Sequence, residues 1–350
     1  MATKPLATSV VFVDTSVFER ANLNVRSGKF ASLEAACAAT DLHLLTTDIT
    51  RSELRVRIEE KLTKARTALS SATREARFLS SLLPSTSPLL EEPDWSDLTE
   101  KATGALDAFF ERCGAETLDA TGADSRPVFE KYFAKKAPFG RAKKRHEFPD
   151  AFVLEALEVW SREHGEDVYI VSSDGDLEDA CEGSATLHYV EDLPPLLEAL
   201  VGDDKSISIA HAVVERCRPE IAERVGDSLS DLFAYLNDEN GEVNSVQATE
   251  VRITDESVAH LEDDVATFYA TAFIQYSADV TYDDPSATVY DREDQRTYCF
   301  RRIDATLERE RHFDVEFKLR FSTLDVEDYD VEEVQFDGVD SLDVDVNEWG

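Results

Sequence analysis

Cysteine is scarce and scattered: Cys37, Cys113, Cys181, Cys217 and Cys299 are the five, and no two form a C-x-x-C. That argues against a disulfide scaffold and a zinc ribbon, and for a reducing compartment, expected to be the cytoplasm. No apolar run approaches the roughly 20 residues a membrane helix needs, and the stretch Met1–Ala7 has no apolar signal region. The sequence contains no G-x-x-x-x-G-K-[ST], G-x-G-x-x-G or H-E-x-x-H motif. Its 7 histidines form no triad or zinc set, and a phosphatase of the aspartyl-phosphate kind would want an aspartate where Ser16 stands. Bases are also in short supply. Lys and Arg number 36 against 73 Asp and Glu, a formal net charge of −37 over 350 residues. Such a surface repels nucleic acid and anionic membranes, and its self-repulsion works against the compact state unless salt relieves it. Any nucleic-acid binding therefore needs a local basic patch.

What is present is a folded chain of two parts. Hydrophobic residues make up 42% and aromatics 9%, too apolar for disorder, and roughly 150 residues per domain predicts about two domains. The first 200 residues alternate short apolar runs with helical patterns, an α/β signature. Strands are expected at Ser9–Val13, Leu42–Leu45, Asp167–Val171 and Thr186–Val190, and helices at Phe30–Ala38, Asp150–Trp160, Leu177–Cys181 and from Pro194 to Leu200. Between Ile49 and Leu83 apolar residues recur every three or four positions, which predicts one long amphipathic helix with Thr47 or Asp48 as its cap. Pro84–Pro93 reads as a loop, and Asp97–Arg112 as a helix folding back to make a hairpin.

Gly202–Lys205 is the expected joint, giving domains 1–201 and 206–350. Beyond it, Ile207–Cys217 and Leu229–Leu236 read as helices, and alternation at Phe268–Tyr276, Tyr298–Ile303 and Phe313–Phe321 predicts an antiparallel sheet with one wet face. After Arg320 there are 11 acids and no bases. This C-terminal α+β domain is expected to fold independently and to carry no catalytic group.

Four acids sit where an α/β sheet places functional groups. Asp14 ends the first strand in V-F-V-D-T-S, Glu53 lies one turn into the long helix, Asp150 heads a helix in F-P-D-A-F, and Asp174 ends a later strand in Y-I-V-S-S-D-G-D. Ligands of open parallel sheets bind outside the carboxyl ends of the strands. Taken singly, each acid has an ordinary explanation: Asp14 and Asp174 turn the chain, Asp150 favours a helix N-terminus, and Glu53 is solvated. Converging, they would repel one another unless cations neutralise them, and hard oxygen ligands suit magnesium or manganese rather than zinc.

Together, VFVDTSVFE, ITRSELRVRIEEKL, KKRHEFPDAFVLEAL and YIVSSDGDLEDA resemble the four acidic motifs of PIN-domain nucleases. Arg126–Asp150 further resembles an uncharacterised bacterial PIN-like subfamily whose members carry P-F-G, then lysines, then F-P-D. The resemblance spans roughly Val10 to Leu200 and leaves the C-terminal 145 residues uncovered. It implies a PIN-like parallel sheet flanked by helices, with Mg2+- or Mn2+-dependent hydrolysis of phosphodiester bonds, usually in RNA. It also implies Asp14, Asp150 and Asp174 as metal ligands, Glu53 as a ligand or water-mediated partner, and Asp176 as a candidate fifth acid. Ser16 and Ser172 are expected to hold carboxylates, or to be ordinary turn hydroxyls.

A basic strip supplies the missing patch. Arg126, Lys131, Lys135, Lys136, Arg141, Lys143, Lys144 and Arg145 are interrupted by one acid, Glu130, and lead into Asp150. They are expected to contact phosphates, the substrate-binding set being Arg126, Lys136, Arg141, Lys143, Lys144 and Arg145. Phe129, Tyr132, Phe133 and Phe139 either stack on unpaired bases or pack a core, the latter for at least two of them. The expected function is a metal-dependent endoribonuclease. The alternatives are a non-cleaving RNA- or protein-binding module and a structure-selective nuclease of single-stranded DNA. The long helix and acidic tail are candidate contacts for a homo-oligomer or a protein inhibitor.

Overall fold

Strand β1 (Val10–Val13) reads V-V-F-V and is buried throughout, the pattern of a strand covered on both faces of a parallel sheet. With β2 (His43–Thr47), β3 (Glu116–Leu118), β4 (Val168–Val171) and β5 (Leu187–Val190) it makes an all-parallel sheet of order β3-β2-β1-β4-β5. The structure, a computed structural model, describes residues 6–39, 42–82, 93–139, 147–201, 204–237, 240–262, 264–292, 296–322 and 327–347. Among these, 6–26 and 30–193 form one compact unit, while 27–29 and 194 onward group into another.

In the first unit the helices are α1 (Thr15–Arg20), α2 (Gly28–Ala39, from Phe30 on), α3 (Asp48–Leu82), α4 (Trp95–Arg112), α5 (Ser125–Ala134), α6 (Phe148–His164) and α7 (Gly175–Glu182). The long helix is there, and its start explains itself. The Thr47 hydroxyl accepts from the Thr50 amide at 3.0 Å, while the Asp48 carboxylate accepts from the Ala120 amide at 2.8 Å and the Thr121 hydroxyl at 2.6 Å. Burial pushes the Asp48 carboxyl up, but those donors outweigh it and hold the group below the ordinary carboxylate range. The hairpin with α4 forms too: Arg51 and Arg55 both reach Asp107 at 2.7 Å, and Arg51 lies 5.0 Å over the Phe110 ring. Of the expected Pro84–Pro93 loop, all but Pro93 lies outside the described residues. Sequence patterning overlooked α1, α5 and β3, which at six, ten and three residues are too short to display a period.

The second unit holds α8 (Leu193–Val201) and α9 (Asp204–Ser230). The domain boundary read at 201–206 thus compares with a partition at Leu193/Pro194, and Gly202 and Asp203 lie outside the described residues. Within this unit Glu198 of α8 accepts from the Val258 amide at 2.6 Å and faces His211 at 3.0 Å. The two helices expected at Ile207–Cys217 and Leu229–Leu236 are corrected to one. Val213, Cys217, Ile221, Val225 and Leu229 form an unbroken buried stripe four residues apart, and α9 runs straight through Pro219. Phe233–Leu236 is instead strand β6, whose exposure alternates.

Strands β7 (Gly241–Glu262) and β8 (Val265–Asp283), then β11 (Arg302–Phe321) and β12 (Tyr329–Phe336), form an antiparallel meander of order β12-β11-β8-β7. Between them β9 (Thr288–Asp291) pairs with β10 (Arg296–Cys299), and β13 (Ser341–Val344) pairs in parallel with β6. Tyr298–Ile303 is therefore not one strand. Asp284 takes hold of Arg301 at 2.6 Å and turns the chain there. The stripe of α9 packs on the apolar face of this sheet against Val258, Phe268 and Phe317.

Phe109 of α4 is fully buried, edge-on to Phe30 at 5.4 Å and to Phe18 at 6.1 Å. Phe109→Ala is expected to cost about 3–5 kcal/mol, whereas Arg55→Ala, removing half of an exposed ion pair, is expected to cost less than about 1 kcal/mol. Denaturant unfolding of the full chain checks the ranking.

Candidate functional site

The chain runs outward from β1 through β2 to β3 on one side, and from β4 to β5 on the other. The order therefore reverses between β1 and β4, which is where open α/β sheets bind ligands. Asp14 and Asp174 occupy that point. The two strands pair with Val13 opposite Val171, and the Asp14 amide donates to the Val171 carbonyl at 2.9 Å.

Each of these aspartates caps the helix that follows. Asp14 caps α1 through Oδ2, which accepts from the Ser16 amide at 3.1 Å, the Ser16 hydroxyl at 2.6 Å and the Ser172 hydroxyl at 2.9 Å. Asp174 caps α7 through Oδ1, which accepts from the Asp176 amide at 2.8 Å, while its own amide donates to Ser172 Oγ at 3.0 Å. The two hydroxyls lie 3.2 Å apart, so Ser16 and Ser172 stitch the ends of β1 and β4 together, Ser172 being completely buried. Glu53 approaches from α3, where Oε2 accepts from the Thr15 hydroxyl at 3.2 Å. The second oxygen of each of these three carboxylates has no protein donor among the described residues. Asp176 sits in the first turn of α7, beside Asp174.

Asp150 enters at the start of α6, just after Pro149. Burial, then the charges of Asp14, Glu53, Asp174 and Glu147, push its carboxyl up to about 8. Glu53 is also raised, by burial and by Asp14, against the opposing effects of Thr15 and Arg57. Asp150 thus lies within electrostatic reach of the three other acids singled out in the sequence, and Glu53 within reach of Asp14. Glu147 and Thr15 were overlooked. The spacing of three residues between Glu147 and Asp150 was the available signal, whereas nothing in the sequence pairs Thr15 with Glu53.

Among the described residues, no three histidine, cysteine or carboxylate side chains are drawn together as a ready ligand set. The donor chemistry nevertheless fits a hard divalent cation: the groups are all carboxylates, three have an oxygen to spare among the described residues, and the fourth is raised by burial and by its neighbours' charge. A cation would relieve that repulsion.

A PIN domain family model matches residues 11–177, the span that contains all four acids. Residues 11–177 are a PIN domain. PIN domains are a nuclease fold that acts on nucleic acid, typically with Mg2+ or Mn2+. No curated protein matches the chain.

The basic strip that precedes Asp150 in the chain is partly paired. Arg126 pairs with Asp124 at 2.6 Å, and Lys131 with Glu158 at 3.1 Å and Glu155 at 3.8 Å. Lys135 and Lys136 are exposed and have no ion pair among the described residues; Lys136 lines a cavity of about 750 Å3 with Lys131, Glu130 and Glu158. Arg141, Lys143, Lys144 and Arg145 lie outside the described residues. Of the four interleaved aromatics, Tyr132 and Phe139 pack with Phe148 at ring separations of 5.2 and 5.0 Å, whereas Phe129 and Phe133 are 44% and 77% exposed.

The raised Asp150 makes stability depend on pH. An acid whose folded value lies above its ordinary 3.8 stabilises the fold fully below that value, and the contribution is lost as pH rises through about 8. In chelator, wild type is therefore expected to lose thermal stability relative to Asp150→Asn as pH climbs from about 4 to about 8, ending less stable than the variant. Parallel melting profiles across that range would remove the like-charge cleft.

Proposed function

We propose that the chain is a metal-dependent endoribonuclease, with Asp14, Glu53, Asp150 and Asp174 as its catalytic carboxylates and Asp176 as an accessory acid. The observation that carries this reading is the pairing of β1 with β4, which sets Asp14 and Asp174 side by side where the sheet order reverses, with Asp150 and Glu53 within electrostatic reach of them. A non-cleaving module has no use for so costly an anionic cleft.

A divalent cation bound there supplies a water of lowered pKa and an electrostatic partner for the leaving oxygen. Asp14, Asp174 and Glu53 would hold it through the oxygens that Ser16, Ser172, the Asp176 amide and Thr15 leave unused. Those donors fix the three side chains before substrate arrives. Burial and the neighbouring charges push the Asp150 carboxyl up to about 8, so in the metal-free cleft its protonated form is favoured below that pH. The bases between Arg126 and Arg145 are assigned to the phosphate backbone, and residues 206–350 to no catalytic step.

Two measurements test this. A mixed RNA pool and a single-stranded DNA of matched length, incubated side by side with Mg2+ or Mn2+, are expected to show metal-stimulated cleavage of the RNA. Asp14→Asn is expected to lower it about a hundredfold or more. Asp94→Asn, at the cap of α4, is expected to leave it intact. No cleavage of either strand under any metal would favour the binding module, and cleavage of DNA alone the DNA nuclease. Separately, Lys143→Ala combined with Lys144→Ala is expected to weaken RNA binding and to flatten the logarithmic salt dependence by about 0.7 per lost contact on a single strand. An unchanged slope would take both lysines off the substrate path.

A further inference from the structure

Beside the carboxylate cleft lies an apolar hollow of about 620 Å3, whose wall includes Glu53 and Arg57 on one side and Val56, Phe148, Pro149 and Phe152 elsewhere. Glu53 therefore belongs both to the acidic site and to this hollow. Val56 is 51% exposed, so the hollow opens to solvent. From Phe148 the rings continue outward: Phe129 of α5 lies 5.7 Å away, and Phe133, one turn further along α5, stacks on Phe129 at 6.2 Å with 28° between the planes. Phe133 is 77% exposed, unusual for a phenylalanine that only packs a core. Its helix is followed directly by the exposed Lys135 and Lys136.

A row of rings that begins at a carboxylate site, ends on the surface and has two lysines beside its outer end matches one ligand chemistry: flat, apolar-faced rings on an anionic backbone. We infer that Phe133, Phe129 and Phe148 form a stacking track for unpaired nucleobases, and that the hollow beside Glu53 seats the base next to the bond to be cut. The inference rests on the nuclease reading above and adds to it a base-binding site. Such a track grips any base by its face, with little sequence preference. It excludes a duplex, whose bases are already stacked on one another.

The test uses the full-length chain carrying Asp14→Asn, so that substrate survives, and a single-stranded oligonucleotide containing 2-aminopurine, whose fluorescence falls when it stacks. Binding in Mg2+ is expected to quench the probe. Phe133→Ala is expected to weaken binding at least about fivefold and to reduce the quenching, and Phe133→Trp to restore both. Val56→Asn is expected to remove the penalty for an abasic site at the position seated in the hollow. Equal binding and quenching by Phe133→Ala would overturn the track. So would a change confined to the sedimentation of the protein alone, which would make the ring pair a contact between copies of the chain. The nuclease reading fails by a different result: a wild type that quenches the probe but cuts nothing keeps the base site and loses the chemistry.

Discussion

Repulsion between carboxylates organises the nuclease-fold unit. Asp14 and Asp174 are brought together because β1 and β4 pair in parallel and end level with each other, and Glu53 and Asp150 approach from α3 and α6. Left alone, four such groups would push those elements apart. Two devices oppose the push. Each strand-end aspartate is drawn into a helix cap, where amide and hydroxyl donors satisfy one oxygen, and Asp150 avoids the conflict by holding its proton up to about 8. A divalent cation, of the kind PIN domains typically use, would relieve the same repulsion.

The same economy of charge governs the bases. With 36 against 73 acids, a basic side chain near an acid is easily captured. Arg51 and Arg55 share Asp107, Arg126 turns back to Asp124, and Lys131 bridges to α6. A count of eight bases before Asp150 therefore overstates the cationic surface that the described residues offer. Lys135 and Lys136, exposed at the end of α5, are what that part of the strip presents.

Much of the nuclease unit was legible because its signals are local and strong. A continuous V-V-F-V run, a 35-residue helix with apolar residues every three or four positions, and aspartates that end strands all announce themselves. Legibility failed where a residue's partner is remote. No local pattern reveals that Lys131 faces Glu158, or that Thr15 reaches Glu53 across 38 positions. It failed again in β7, whose alternation is broken by register shifts at four places, so that no period of two survives over its 22 residues. The helix read as ending at Cys217 instead continues through Pro219, although a proline disfavours a helix interior, because the buried stripe of α9 runs on unbroken to Leu229.

The unequal anchoring of the four carboxylates has a kinetic consequence. Asp14, Asp174 and Glu53 each have one oxygen tied to a neighbour, so their rotamers are settled when the chain folds, and the entropy of ordering them falls on folding rather than on encounter with a ligand. Asp150 has no side-chain donor among the described residues. Asp14, Asp174 and Glu53 thus make three sides of the cleft that are set in advance, and Asp150, which lacks such a donor, is the acid whose charge burial and its neighbours hold off up to about 8.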